Sequence, residues 1–190
     1  MIRQNRFWIV SALLWLASGC ASTGSVKIPG APKPQQDKAP RLSTSVLTQM
    51  QQLPDPEVLD EPRSRRGNGP VYTVWGKSYR VMDSAEGFVQ EGTASWYGTK
   101  FHGRETSSGE VYDIYRLTAA HKHLPLPTYV RVTNLANGKE TVVKVNDRGP
   151  FHGDRIIDLS YAAAVKLGFH EHGTSRVRVE VLEPYAEPET

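Results

Sequence analysis

Three stretches of this chain repeat every second residue, and that period limits the fold more than any other feature. Val130 and Val132 alternate with Arg131 and Thr133, and Val143 and Val145 flank Lys144. Val177, Val179 and Val181 alternate with Arg176, Arg178 and Glu180. Each pattern predicts a half-buried strand with one face to a core and one to solvent. Asn137-Gly138 lies between the first two and tolerates the positive φ of a tight hairpin turn. The one good helix candidate is Tyr161 to Leu167, with Ser160 as N-cap and Gly168 ending it. Short strands with a single helix predict an all-β domain, a small closed barrel of about six strands. Closure removes the edges that would otherwise pair with other chains.

No disulfide can staple such a domain, because Cys20 is the only cysteine. It sits in an N-terminal pattern of its own. Arg3 and Arg6 are followed by an apolar run from Phe7 to Leu16 and by the small residues Ala17, Ser18 and Gly19. The run is shorter than the ~20 residues that span a bilayer, and it reads as an export signal over residues 1–19. Small residues before a cysteine resemble the bacterial lipobox. Cleavage there makes Cys20 the first mature residue, acylated at its sulfur and amine, and Ala21 behind it resembles the sorting signal for the outer membrane. An ordinary secretory signal with an incidental cysteine is the alternative. Cleavage removes two arginines and leaves 21 basic against 20 acidic side chains, a formal charge of +1. A near-neutral protein has no electrostatic case for binding nucleic acid.

Residues 20–66 are rich in Pro, Ser, Gln and charge, with few aromatics, and predict a flexible tether. Leu42 to Leu53 has a weak amphipathic pattern that Pro54 and Pro56 end. From Val71 the composition shifts: Tyr72, Val74, Trp75, Tyr79 and Val81 make residues 67–91 a β lead-in. The barrel domain is expected over residues 92–184, followed by an acidic tail, 185–190.

Between the alternating strands the chain is polar where a strand core would not be. Trp96 and Tyr97 are bracketed by glycines. Glu110 and Asp113 follow in Ser107-Ser108-Gly109-Glu110-Val111-Tyr112-Asp113, then His121, then Asp147 and Arg148, then Asp158. Carboxylates, a histidine and aromatic faces are what a sugar site needs: flat apolar surfaces for pyranose rings, and acids to move protons at a glycosidic oxygen.

The runs G-T-A-S-W-Y-G, F-H-G-R, S-G-E-V-Y-D, L-T-A-A-H, L-P-L-P, V-R-V-T-N-L, V-N-D-R-G-P-F and R-I-I-D-L-S-Y-A-A-A resemble the rare lipoprotein A family over nearly all of Gly92 to Gly168. The resemblance implies a double-psi β-barrel and a lytic transglycosylase, with peptidoglycan glycan strands as substrate. The family positions associated with activity fall on Glu110, His121 and Asp147, with Asp113 beside them. A looser resemblance to expansins puts the acid at the position of Asp147. Asp147 is then the acid/base that protonates the oxygen leaving N-acetylmuramic acid C1, and Glu110 supports it. His121 orients a carboxylate. Trp96 and Tyr97 stack on sugars, and Arg148 binds acetamido or lactyl oxygens. No cofactor or metal is implied. The resemblance also implies a lipid-anchored outer-membrane protein facing the periplasm, with division-site proteins as partners. Many members carry a C-terminal sporulation-related repeat domain for that recruitment, whereas this sequence stops at Thr190.

Other readings of the same residues stand beside these. Asp158, just before the helix, reads as a cap or loop ligand. Trp96 reads equally as core, Arg148 as an ion-pair partner of Asp147, and Glu110 and Asp113 as solvated turn residues. All six histidines lie in the domain, and His121-Lys122-His123 is an H-x-H of the kind zinc peptidases use, although no H-x-x-x-D partner is present. A glycan-binding lipoprotein without turnover would use the same groove.

Overall fold

The computed structural model describes residues 38–184. The export signal and Cys20, like the acidic tail at 185–190, lie outside the described residues. Among the described residues there are two helices, α1 (Thr44–Gln51) and α2 (Tyr161–Leu167), and eight strands. Strands β1 (Val71–Val74) and β2 (Lys77–Arg80) form a two-stranded hairpin. The other six are β3 (Val89–Tyr97), β4 (Thr118–His121), β5 (Thr128–Asn134), β6 (Glu140–Asp147), β7 (Arg155–Ser160) and β8 (Thr174–Val181). They close in the order β3-β7-β4-β6-β5-β8, with β3–β7 and β4–β6 parallel and the remaining pairs antiparallel. This is the small closed all-β barrel expected, in its double-psi form.

The alternating runs became β5, β6 and β8, and their inward valines form the barrel core. Val130, Val132, Val143, Val145, Val177 and Val179 are fully buried, together with Ile157 and Leu159. Truncating Leu159 to alanine should cost roughly 2–5 kcal/mol through lost contacts and the cavity left behind. The β5–β6 connection is longer than a two-residue turn. Gly138 has φ +72°, but Asn137 stays at negative φ, and the Asn134 carbonyl accepts from both the Asn137 and Gly138 N–H groups. Asn137 caps instead: its Nδ2 donates to the Leu167 carbonyl at the end of α2, at 3.0 Å. Helix α2 has the expected ends. Ser160 Oγ accepts from Ala163 N, and Gly168 takes φ +76°, a left-handed conformation costly to any residue with a Cβ.

Three barrel strands lie where polar loops were expected. β3 carries the Trp96-Tyr97 pair, β7 carries Asp158, and β4 carries Ala119 and Ala120. β4 is buried along its whole length, so it has no solvent face and no alternation to read. Gly92 within β3 allows close approach of β7, since a Cβ there would stand 2.5 Å from Ile156 Cγ2.

The second difference is the segment expected as a tether. Its described part, residues 38–66, lies along the barrel. In α1, Ser43 caps the N-terminus, Met50 is 2% exposed, and Leu42, Val46, Leu47 and Leu53 pack on the core beside α2. An isolated helix of this length is unstable in water, so docking is what forms it. Asp55 then meets Lys166 Nζ at 2.6 Å, and Glu61 meets Lys144 Nζ at 2.8 Å. No helix among the described residues is long and apolar enough to cross a membrane.

Candidate active site

Ala120 in β4 is the register partner of Asp147 in β6 on one side and of Asp158 in β7 on the other. Neighbouring strands stand ~4.8 Å apart, so the two aspartates sit about 10 Å apart in backbone terms, with a methyl group between them. Both line one groove of about 490 Å³, whose other walls include Tyr97, Trp96, Phe151 and Trp75. Two carboxylates across a small-residue floor, inside partly aromatic walls, leave room for a sugar ring between the acids.

Asp147 is held rigidly at the end of β6. Its Oδ1 accepts from Ser107 N at 2.8 Å, Ser107 Oγ at 2.6 Å and Arg148 N at 2.8 Å. Asp158 is more enclosed, its side chain 15% exposed, with Arg155 Nη1 at 2.9 Å and Ser95 Oγ donating at 2.6 Å. Burial pushes its carboxyl above the usual range, against the opposing pull of Ser95 and Arg155. Sequence reasoning assigned Asp158 to a cap or loop, but Ser160 is the cap and Asp158 faces the groove. The available signal was its spacing of two from that cap along a strand, which puts both residues on one face.

Glu110 is elsewhere. It lies on the long β3–β4 connection, outside the Asp147 groove, where its Oε1 pairs with Lys144 Nζ at 2.9 Å and its Oε2 accepts from Asn146 Nδ2 at 2.9 Å. Lys144 also pairs with Glu61, and Tyr129 Oη donates to Glu61 at 2.5 Å. Burial alone would lower the Lys144 pKa, but the two glutamates outweigh it and raise it. The Glu110 carboxylate therefore reaches Asp147 indirectly, through Asn146, the preceding residue. Asp113 is outside the groove as well. Its Oδ1 accepts from Tyr115 N at 2.9 Å and stands 3.7 Å from His102 Nδ1, in a turn of the same connection.

The roles expected of His121 and Arg148 are corrected. His121 is 1% exposed and touches no carboxylate. Its Nδ1 accepts from His123 N at 3.1 Å and Leu124 N at 3.0 Å, so Nε2 carries the proton and faces Gln90 Oε1 at 3.3 Å. Burial, with the positive charges of neighbouring side chains, pushes its pKa down to about 3. It is a neutral residue that shapes the β4–β5 turn. Arg148 is 9% exposed and spends its guanidinium on the fold. It donates to the carbonyls of Gly67, His121 and Leu124 and to Asn68 Oδ1, and lies over the Tyr72 ring. Four of its five N–H groups are committed in this way. Lys100 and Arg155 line the groove beside it.

The aromatic pair splits. Tyr97 is buried with one face against Tyr112, ring centroids 4.0 Å apart, so it forms groove floor rather than an open stacking face. Trp96 is half-buried, edge-on to Tyr161, and its Nε1 donates to the His170 carbonyl at 3.1 Å. The H-x-H nitrogens are largely taken up by the fold. His121 uses both ring nitrogens, and His123 Nδ1 faces the Arg80 carbonyl at 2.8 Å. Among the described residues no group of three or more His, Cys, Asp or Glu is placed to hold a metal ion.

A double-psi barrel with an acidic groove across β4, β6 and β7 is thus the class that fold and site define. A family model described as lytic transglycolase matches residues 89–179, the span from the start of β3 into β8. The chain is 49% identical over 179 residues to the endolytic peptidoglycan transglycosylase RlpA of Vibrio cholerae, covering 94% of this chain and 64% of that protein. It is 54% identical over 152 residues to the protein of the same name in Pseudomonas aeruginosa strain UCBPP-PA14, covering 80% of this chain and 43% of that one. The chain thus spans less than two thirds of these relatives' length. Among solved structures, a Streptomyces papain inhibitor matches 53% of this chain and all of its own, with TM-score 0.45 and 22% identity.

Proposed function

We propose that this chain is a lytic transglycosylase that cleaves peptidoglycan glycan strands between N-acetylmuramic acid and N-acetylglucosamine, leaving a 1,6-anhydro ring. The observation that carries this reading is the placement of Asp147 and Asp158 on either side of Ala120 in one aromatic-walled groove. The names of the relatives support the substrate class.

Asp147 is the acid/base. It protonates the glycosidic oxygen as the C1–O bond breaks, and then takes the proton of the sugar's own C6 hydroxyl as that oxygen attacks C1. No water enters the product. Asp158 stabilises the positive charge that develops at C1. A carboxylate burdened by burial gains most from a cation forming beside it, while Ser95 and Arg155 hold it in place. Glu110 is a positioning residue that acts through Asn146 on the strand end presenting Asp147.

Acylation at Cys20 would hold the domain at the outer membrane facing the periplasm, within reach of glycan and of division-site proteins. The resemblance of Ala17 to Ala21 to a lipobox and sorting signal supports this. Cys20→Ser should release the protein from the membrane fraction, and retention there would remove the anchor.

The chemistry is tested by mass spectrometry of sacculi, and of peptide-free glycan strands, digested with purified protein. Fragments ending in 1,6-anhydro-N-acetylmuramic acid are expected from the wild type and not from Asp147→Asn. Ends reducible by borohydride would mean hydrolysis instead. Binding without either product would make the chain a glycan-binding module.

A further inference from the structure

The β1–β2 hairpin precedes the region matched by the family model, yet it contributes a wall to the groove. Val74 pairs with Lys77, so Trp75-Gly76 is a two-residue turn, and both residues have positive φ, +49° and +77°. Such turns are normally built from Asn, Asp or Gly. Among the described non-glycine residues, Trp75 alone adopts positive φ, and it is 73% exposed. A bulky side chain there strains the backbone and leaves a large apolar face in water, two costs set against contacts with only Phe151 and His152 among the rings around it.

The hairpin is anchored, so the indole is held in place. Tyr72 and Tyr79 stack on each other at 5.4 Å, and both contact Phe151, at 6.2 and 5.3 Å. Tyr72 Oη donates to the Lys122 carbonyl at 2.9 Å. Trp75 itself meets Phe151 edge-on at 6.1 Å and His152 at 4.7 Å. Phe151 and His152 belong to the loop that begins directly after Asp147. The geometry points to Trp75 as a stacking platform for a sugar ring of the glycan strand, at a subsite beside the Asp147–Asp158 floor and supplied from outside the barrel. An indole offers a broad flat face at little entropic cost, and the axial C–H face of a pyranose is its complement.

This inference rests on the glycan-cleaving reading, and the test separates the two. Binding of peptide-free glycan strands is measured by co-sedimentation and tryptophan fluorescence, using the chain carrying Asp147→Asn so that nothing is consumed. Adding Trp75→Ala or Trp75→Asn should weaken binding by roughly tenfold or more, and Trp75→Phe should recover most of it. Trp75→Asn should melt no lower than its parent, because asparagine suits this turn, so weaker binding cannot be laid to unfolding. Unchanged binding in Trp75→Ala and Trp75→Asn overturns the platform and leaves the proposed function intact. No anhydro product from the wild type, with binding still lost on Trp75→Ala, overturns the transglycosylase and keeps the platform. A parent that binds no glycan overturns both.

Discussion

Two acidic clusters flank the same barrel end, and they differ in what sits opposite their carboxylates. Glu110 and Glu61 share the ammonium of Lys144, with Tyr129 also donating to Glu61 and Asn146 to Glu110. That cluster ties the β3–β4 connection to the segment around Glu61. Asp147 and Asp158 are held from behind by Ser107, Ser95 and Arg155, and both line an open groove. Glutamate and aspartate are chemically alike, so their partners decide that one pair closes the fold while the other can meet a substrate.

The sharpest way to break this comparison is to remove one charge from each cluster. Asp147→Asn should lower turnover on glycan by roughly 10³-fold or more, and Asp158→Asn by about 10². In the wild type, activity should fall on acidification through the raised pKa of Asp158, and Asp158→Asn should lose that limb of the pH profile. Equal loss from Glu110→Gln with the same change of profile would erase the distinction.

His121 tests whether its neighbourhood is structural. Its folded pKa lies near 3, below the usual 6.5, so the folded state favours the neutral ring. The resulting stability is fully present above pH 6.5 and is lost as pH falls from 6.5 toward 3, by roughly 5 kcal/mol in all. His121→Ala should cost about 2–4 kcal/mol at pH 7.5, from the two freed N–H groups and the cavity, and flatten acid unfolding in that window. Denaturant melts at several pH values check both. A stable variant that is merely inactive would return His121 to the chemistry.

Glu110→Gln should reduce kcat by about tenfold with an unshifted pH profile, and Glu110→Ala by more, because glutamine still offers an acceptor to Asn146. The smallest effect concerns the strap. Burial works against the Asp55 charge, but hydrogen bonds from Lys166 and Thr141 outweigh it and hold the carboxyl below its usual range. Its stabilisation is therefore present above the unfolded pKa and lost as pH falls. Asp55→Asn should cost about 1 kcal/mol near neutrality and leave turnover unchanged.

How much was legible follows from where contrast survives in the chain. β5, β6 and β8 were readable because valines alternate with charged or hydroxylic residues, and α2 because Ser160 and Gly168 mark its ends. β4 was not, because Thr118-Ala119-Ala120-His121 is buried throughout and shows no period. Asp147 lines the groove, whereas Glu110 and Asp113, grouped with it by residue type and by the family resemblance, lie outside it. Asp158 was discounted because it precedes a cap.

The sequence by itself determined the barrel's inward faces, the helix with its caps, and an acidic, aromatic character suited to sugars, since these depend on residue type and short spacing. Only the tertiary structure decided which carboxylates meet. Ala120 joins Asp147 to Asp158 through parallel and antiparallel pairings between strands that are distant in sequence, and Lys144 claims Glu110 first. Register across a closed barrel is a property of the whole sheet, and no local pattern encodes it.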